Sequence, residues 1–215
     1  MFVGHYGVSF AVKSFEKRIP LWLLFVAVQF VDVLWAIFVL TGIEKVRITP
    51  GITATNHLDL YYMPYTHSLV AALLWSGVVF IGYKAARRGA LYTAFLVAAA
   101  VFSHWVLDLI VHRPDLPLYD DTYKLGFGLW NYPALALALE ASLLFGGIFL
   151  YLRATEAVSP AGKFGMLVFG IVLLIVQGIV FFGAPPPSPS AAALTALLSY
   201  IVLAGVAYWL EKKRQ

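Results

Sequence analysis

Six stretches of this chain, 20–41, 67–83, 89–111, 131–152, 164–183 and 191–210, are each roughly as long as a bilayer is thick and hold few ionisable groups. A helix crossing a hydrocarbon core ~30 Å thick needs ~20 mostly apolar residues, with its backbone polar groups satisfied internally. Composition agrees: 61% of residues are hydrophobic and 12% charged, against ~45–50% and ~25% in a soluble domain. The expectation is an all-α, polytopic membrane protein. It has six transmembrane helices plus an N-terminal helix, re-entrant or interfacial, in one transmembrane domain over 1–215. The apolar patch from Phe2 to Val12 is short, and its basic residues follow it, so no cleavable signal peptide is expected. The absence of cysteine excludes thiolate metal sites.

Alternating spans sort the basic residues by side. Lys13, Lys17, Arg18, Lys84, Arg87, Arg88, Arg153, Lys163, Lys212, Lys213 and Arg214 fall on one side, and Lys45, Arg47, Arg113 and Lys124 on the other. The positive-inside rule then predicts cytoplasmic termini. Segments 42–66 and 112–130 and the turn "APPPSPS" at 184–190 face outward, the first two as a partial lid. A net charge of +4 reports topology here, so no nucleic-acid partner is expected. Residues 1–130 hold all five histidines and read as the metal-site half. Residues 131–215 read as supporting helices.

The stretch "HWVLDLIVH" places His104, Asp108 and His112 on one helix face, because positions i, i+4 and i+8 drift by only ~40° per step. A carboxylate at bilayer depth costs roughly 2.5–3.5 kcal/mol on insertion scales and needs a partner. The alternative for these residues is a polar network that only orients helices, or a helix end where His112 meets water. Counting 1.5 Å per residue from the cytoplasmic side puts Asp32 at ~18 Å, His104 at ~20 Å and Glu140 at ~16 Å, on three separate spans. His67 opens the second span near the level of Asp108. A re-entrant segment turning at Lys17 and Arg18 carries His5 ~20 Å inward, whereas an interfacial helix leaves it at the surface.

His5, Asp32, His67, His104 and Asp108 thus form a candidate all-N/O ligand set for a divalent metal. Zinc comes first, and manganese or iron also suit such ligands. The number of ligands admits one or two ions. Glu140 would bridge or act as the general base, with Asp108 the second catalytic carboxylate. In the outer segments, His57, Asp59, His112, Arg113 and Asp115 are candidate outer ligands or substrate contacts, Arg113 through a phosphate oxygen. The simpler reading of any one of them is a solvated loop residue. Tyr61, Tyr62, Tyr65, Trp105 and Trp130 read as an interfacial aromatic belt.

"GHYG" at the N-terminus, an Asp in the first span, "YTHS", and "SHWVLDLIVHRPDLPL" occur in this order over residues 1–118. The chain thereby resembles the family described as membrane-bound, metal-dependent hydrolases, also labelled LexA-binding and inner-membrane-associated. The family pattern is Gly-His, an acidic Pro-Asp-x-Asp segment, Thr-His-Ser and Ser-His-x-x-x-Asp. It falls here on His5, Asp32, His67 with Ser68, and His104 with Asp108. "QFVDVLWA" keeps one acidic residue where the family has two, and Glu140 lies outside the pattern. The resemblance implies metal-dependent hydrolysis in the bacterial inner membrane.

The leading expectation is a hydrolase cleaving an ester or phosphoester of a membrane lipid or lipid-linked substrate with metal-activated water. Asp59, Ser68, His112 and Arg113 would contact the substrate. A transporter or ion-binding protein would use the same His/Asp/Glu cluster. A purely structural membrane protein would need no metal.

Overall fold

The computed structural model describes residues 1–87 and 91–215. Arg88, counted among the basic residues above, and Gly89, where the third apolar stretch begins, lie outside the described residues. The chain is mainly helical. It runs through α1 (Val3–Phe15), α2 (Leu21–Val28), α3 (Phe30–Leu40), the strands β1 (Lys45–Ile48) and β2 (Leu58–Tyr62), then α4 (Leu69–Ala86), α5 (Leu91–Val111), α6 (Pro133–Ala154), α7 (Pro160–Phe182) and α8 (Pro189–Glu211).

Helices α4 to α8 are each long and apolar enough to cross a membrane. The first apolar stretch is not one straight helix. It breaks at Gln29 into α2 and α3, bent by 53°. No proline or glycine lies at the break, so it has no mark in the local sequence. Its effect is to end α2 at Val28 and to place Asp32 in the first turn of α3. There the helix dipole favours a negative charge.

Helix α1 is thirteen residues long, ~20 Å at 1.5 Å per residue, too short to cross alone. It is also not a surface helix, because Val3, Gly4, His5, Tyr6, Gly7, Ser9 and Phe10 are all buried. It lies along α6, and two glycines let the backbones meet. A Cβ on Gly7 would stand 2.2 Å from the Leu143 carbonyl oxygen, and one on Gly147 would stand 2.1 Å from the Gly7 carbonyl oxygen. Close approach through small residues is the usual way helices pack without a hydrophobic driving force between them.

The helix ends rich in Lys and Arg come together. Lys13 pairs with Glu211, and Arg214 donates to the carbonyls of Leu152, Thr155 and Gly162. At the opposite end the 42–66 segment is a β-hairpin, with β1 and β2 antiparallel. It is anchored by Val46, Leu60 and Met63 in a small core with Trp35 and Leu116. The 112–130 segment folds back on itself through a Leu116–Leu125 bridge and bonds to the start of α4. The all-α expectation therefore holds for the helical body, and the lid adds a two-stranded sheet.

Candidate metal centre

Three histidines are held by the nitrogen that faces away from the centre. His104 donates from Nδ1 to the Val28 carbonyl, 2.7 Å away. That carbonyl is available because α2 ends at Val28, and the last carbonyls of a helix lack intrahelical partners. His67 donates from Nδ1 to Thr66 Oγ1 at 2.7 Å. Thr66 in turn donates to Glu44 Oε2 at 2.7 Å, while the Tyr65 and Thr66 N–H groups donate to Glu44 Oε1. Burial raises the Glu44 carboxyl above the usual carboxylate range, against the pull of His67 and these hydrogen bonds. His112 donates from Nδ1 to Asp115 Oδ1 at 2.8 Å.

A neutral imidazole with its proton on Nδ1 presents a lone pair at Nε2. The Nε2 atoms of these residues point at carboxylate oxygens, which are also lone-pair donors. His67 Nε2 lies 3.2 Å from Asp32 Oδ1 and 3.8 Å from Asp108 Oδ2. His104 Nε2 lies 3.5 Å from Asp32 Oδ1 and 3.1 Å from Asp108 Oδ2. His112 Nε2 lies 3.4 Å from Asp108 Oδ2. His104 Nε2 is fully buried and has no hydrogen-bond partner among the described residues. Such a gathering is stable only with positive charge among these atoms, supplied by a metal ion or by protons on the imidazoles.

The spacing fits an ion. With metal–ligand bonds of ~2.1 Å, ligand atoms on one ion stand ~3.0 Å apart in an octahedron and ~3.4 Å in a tetrahedron. Two sets of ligand atoms, from His5, His104 and Asp108 and from Asp32, His67 and His104, each lie within 4.8 Å of one another. Fixing a ligand histidine through its other nitrogen is also how metal sites orient their imidazoles.

His5 completes the group from α1. Its Nε2 lies 3.2 Å from Asp108 Oδ1, and its ring stacks on His104 with centroids 4.0 Å apart. The Met1 amino group lies 2.6 Å from the same Asp108 oxygen. All five residues expected as ligands are therefore gathered in one place.

The other candidates have other partners. Glu140 is buried at the edge of the centre, and its oxygens accept from the N–H groups of Phe2 and Gly4 at 3.1 and 2.9 Å. These are free donors at the start of α1, so the carboxylate caps that helix inside the protein. Ser68 caps α4, accepting from Ala71 N–H and donating to the Pro64 carbonyl. Asp59 pairs with Arg47 and Arg113, and Arg113 also binds Asp115. Arg113 is thus engaged by two carboxylates rather than free for a phosphate. His57 accepts from Gly51 N–H at 3.3 Å and lines the cavity above the centre.

Other contributors had no distinguishing mark in the sequence. Tyr200, from the nearly bland last span, donates to Asp32 Oδ2 at 2.8 Å. Trp105 and Trp130, expected in an interfacial belt, are buried. Trp105 donates to the His67 carbonyl, and Trp130 packs on the His112 ring at 4.2 Å.

Comparison of the chain with family models, curated proteins and solved structures finds no match. The functional reading therefore rests on the geometry of the centre.

Proposed function

We propose that this chain is a membrane-embedded, metal-dependent hydrolase acting on an ester or phosphoester of a membrane lipid or lipid-linked substrate. In this reading six spans cross a bacterial inner membrane, with α2 and α3 as one broken span. The C-terminus is cytoplasmic and the hairpin lid faces outward. Helix α1 is a half-length helix running from Met1, buried at the centre, to the basic side, so the N-terminus is not cytoplasmic, contrary to expectation. Irregular backbone at membrane depth is tolerated where it is buried in protein or lines a cavity. Gln29 at the break is fully buried, and Met1 and Phe2 line the cavity above the centre.

The observation that carries the reading is the convergence of the Nε2 atoms of His5, His67, His104 and His112 on Asp32 and Asp108. His5, Asp32, His67, His104 and Asp108 would hold a divalent ion, zinc foremost. Such an ion supplies Lewis-acid polarisation of a substrate oxygen and activation of water. The Val28 carbonyl and Thr66 hydroxyl keep Nε2 of His104 and His67 turned inward. Tyr200 takes up the second oxygen of Asp32 and so limits how that carboxylate turns. Glu140 holds α1, and with it His5, in place.

An ion carrier built on the same residues has less support. Toward the basic end, Phe10, Phe25, Leu144, Ile148 and Phe169 belong to a packed apolar core, which offers an ion no polar route.

The test is a panel of lipid esters and phosphoesters offered to the detergent-purified protein. Turnover should vanish with a chelator, return with metal, and fall by ~10²-fold or more in His104→Ala. Metal-loaded protein that hydrolyses no member of the panel would count against hydrolysis and for ion binding alone.

A further inference from the structure

We propose that the cleft between α7 and α8 is a binding slot for the hydrocarbon chain of the substrate, a long-chain ester or phosphoester bearing a free hydroxyl or N–H near its polar end. The placement of the reacting group rests on the hydrolytic reading above; the placement of the chain does not.

One cavity of about 560 Å³ joins the centre to this cleft. At one end its walls are Asp32, His67, Asp108 and His112, and at the other they are α7 and α8. These two helices are joined by a short proline-rich turn, yet they touch each other sparingly. Val176 and Val180 line the slot from one face of α7, and Ala192 and Ala196 from one face of α8. The small side chains on α8 leave the width, and the valines are partly exposed, so the slot opens sideways. In a membrane such an opening faces lipid tails, and an amphiphile enters it without its chain crossing water.

Two polar atoms mark where the head of that amphiphile sits. Gln177 is buried within an apolar helix, and its Oε1 has no hydrogen-bond partner among the described residues. Trp35 Nε1 is likewise buried and without a partner. Both residues line the same cavity. Buried polar groups are nearly always satisfied, so an acceptor and a donor left open in one cavity point to a ligand with the complementary pair. Trp35 suits a carbonyl or phosphoryl oxygen, and Gln177 a hydroxyl or amide hydrogen. A membrane-spanning hydrocarbon alone would need neither.

The experiment uses the full chain in phosphatidylcholine vesicles with a lysophosphatidylglycerol whose palmitoyl chain ends in a diazirine. After irradiation, adducts are mapped along the chain. Val176, Val180, Ala192 and Ala196 should be labelled several-fold more than Ile171 and Ile201, which are exposed on the outer surface of the same helices. Ala196→Trp should remove the cleft adducts while metal content stays at the wild-type level. Should that variant fail to fold, the smaller Ala192→Leu takes its place. Gln177→Leu should keep the chain adducts and raise the half-saturating probe concentration roughly three- to tenfold, the loss of one hydrogen bond. Equal labelling of cleft and outer positions, or cleft adducts unchanged in a folded Ala196→Trp, overturns the proposal. Cleft-selective labelling without hydrolysis of any ester or phosphoester would leave the slot standing and sink the hydrolytic reading. Hydrolysis of short, water-soluble esters with unselective labelling would do the reverse.

Discussion

The Nδ1 of His104 lies 2.7 Å from the main-chain oxygen of Val28, at the point where the first apolar stretch breaks. A carbonyl only accepts, so Nδ1 carries a proton and Nε2 is the nitrogen that faces Asp32 and Asp108. A bend in one helix thereby orients a histidine on another. Asp32, a few residues beyond the bend, faces that histidine from the first turn of α3.

The support behind His67 can be tested without touching a ligand. Thr66→Val removes the hydroxyl that links His67 Nδ1 to Glu44 while keeping its shape. Metal affinity should fall ~10–100-fold, the usual cost of losing a group that orients a metal-bound histidine. Competition with a chelator of known affinity measures it, and circular dichroism should show unchanged helix content.

Gly147 and Gly146 make an internally controlled pair. A Cβ at Gly147 meets the Gly7 carbonyl oxygen at 2.1 Å, whereas a Cβ at Gly146 meets nothing within 4 Å. Gly147→Ala should push α1 off α6 and cost ~1–3 kcal/mol, the usual penalty of overpacking. Gly146→Ala should be near neutral. Thermal unfolding in detergent separates them, and the Gly147 variant should also lose metal because His5 moves with α1.

Glu140 should behave as a helix cap. Glu140→Gln keeps an acceptor for the N–H groups of Phe2 and Gly4 and should retain most of the metal. Glu140→Leu leaves two buried donors without partners, at ~1–3 kcal/mol each, and should lose metal about as fully as His5→Ala. Metal retention in Glu140→Leu would separate Glu140 from the placement of α1.

How much of this was legible depends on what each residue contacts. Asp32, His104 and Glu140 are conspicuous because ionisable groups at membrane depth are rare, and counting residues along straight spans brings them level. His5 follows from only one of the two readings of its segment, the re-entrant one; the burial of α1 that decides between them is seen in the fold. The bend at Gln29 does not follow, because it has no proline or glycine and is set by tertiary packing. The contact of Glu140 is illegible for a related reason. Its partners are backbone N–H groups at the start of α1, which carry no side-chain signature. Tyr200 and Trp35 are hidden among the many aromatics of apolar spans, where only the fold shows which one faces the centre. Arg113 and Ser68 are polar beside the centre in sequence, but their partners, Asp59 and Asp115 for the one and Pro64 and Ala71 for the other, appear only in the fold.

The most direct test is elemental analysis of the detergent-purified chain beside Asp108→Asn, after loading with zinc or manganese and removal of loose ion. Asp108 faces His5, His67, His104 and His112 at once, so its neutral amide should hold less than about a tenth of the metal bound by the wild type. The wild type should retain bound ion in proportion to chain. A wild-type protein that keeps no ion after loading, or an Asp108→Asn variant that keeps as much, would contradict the metal centre.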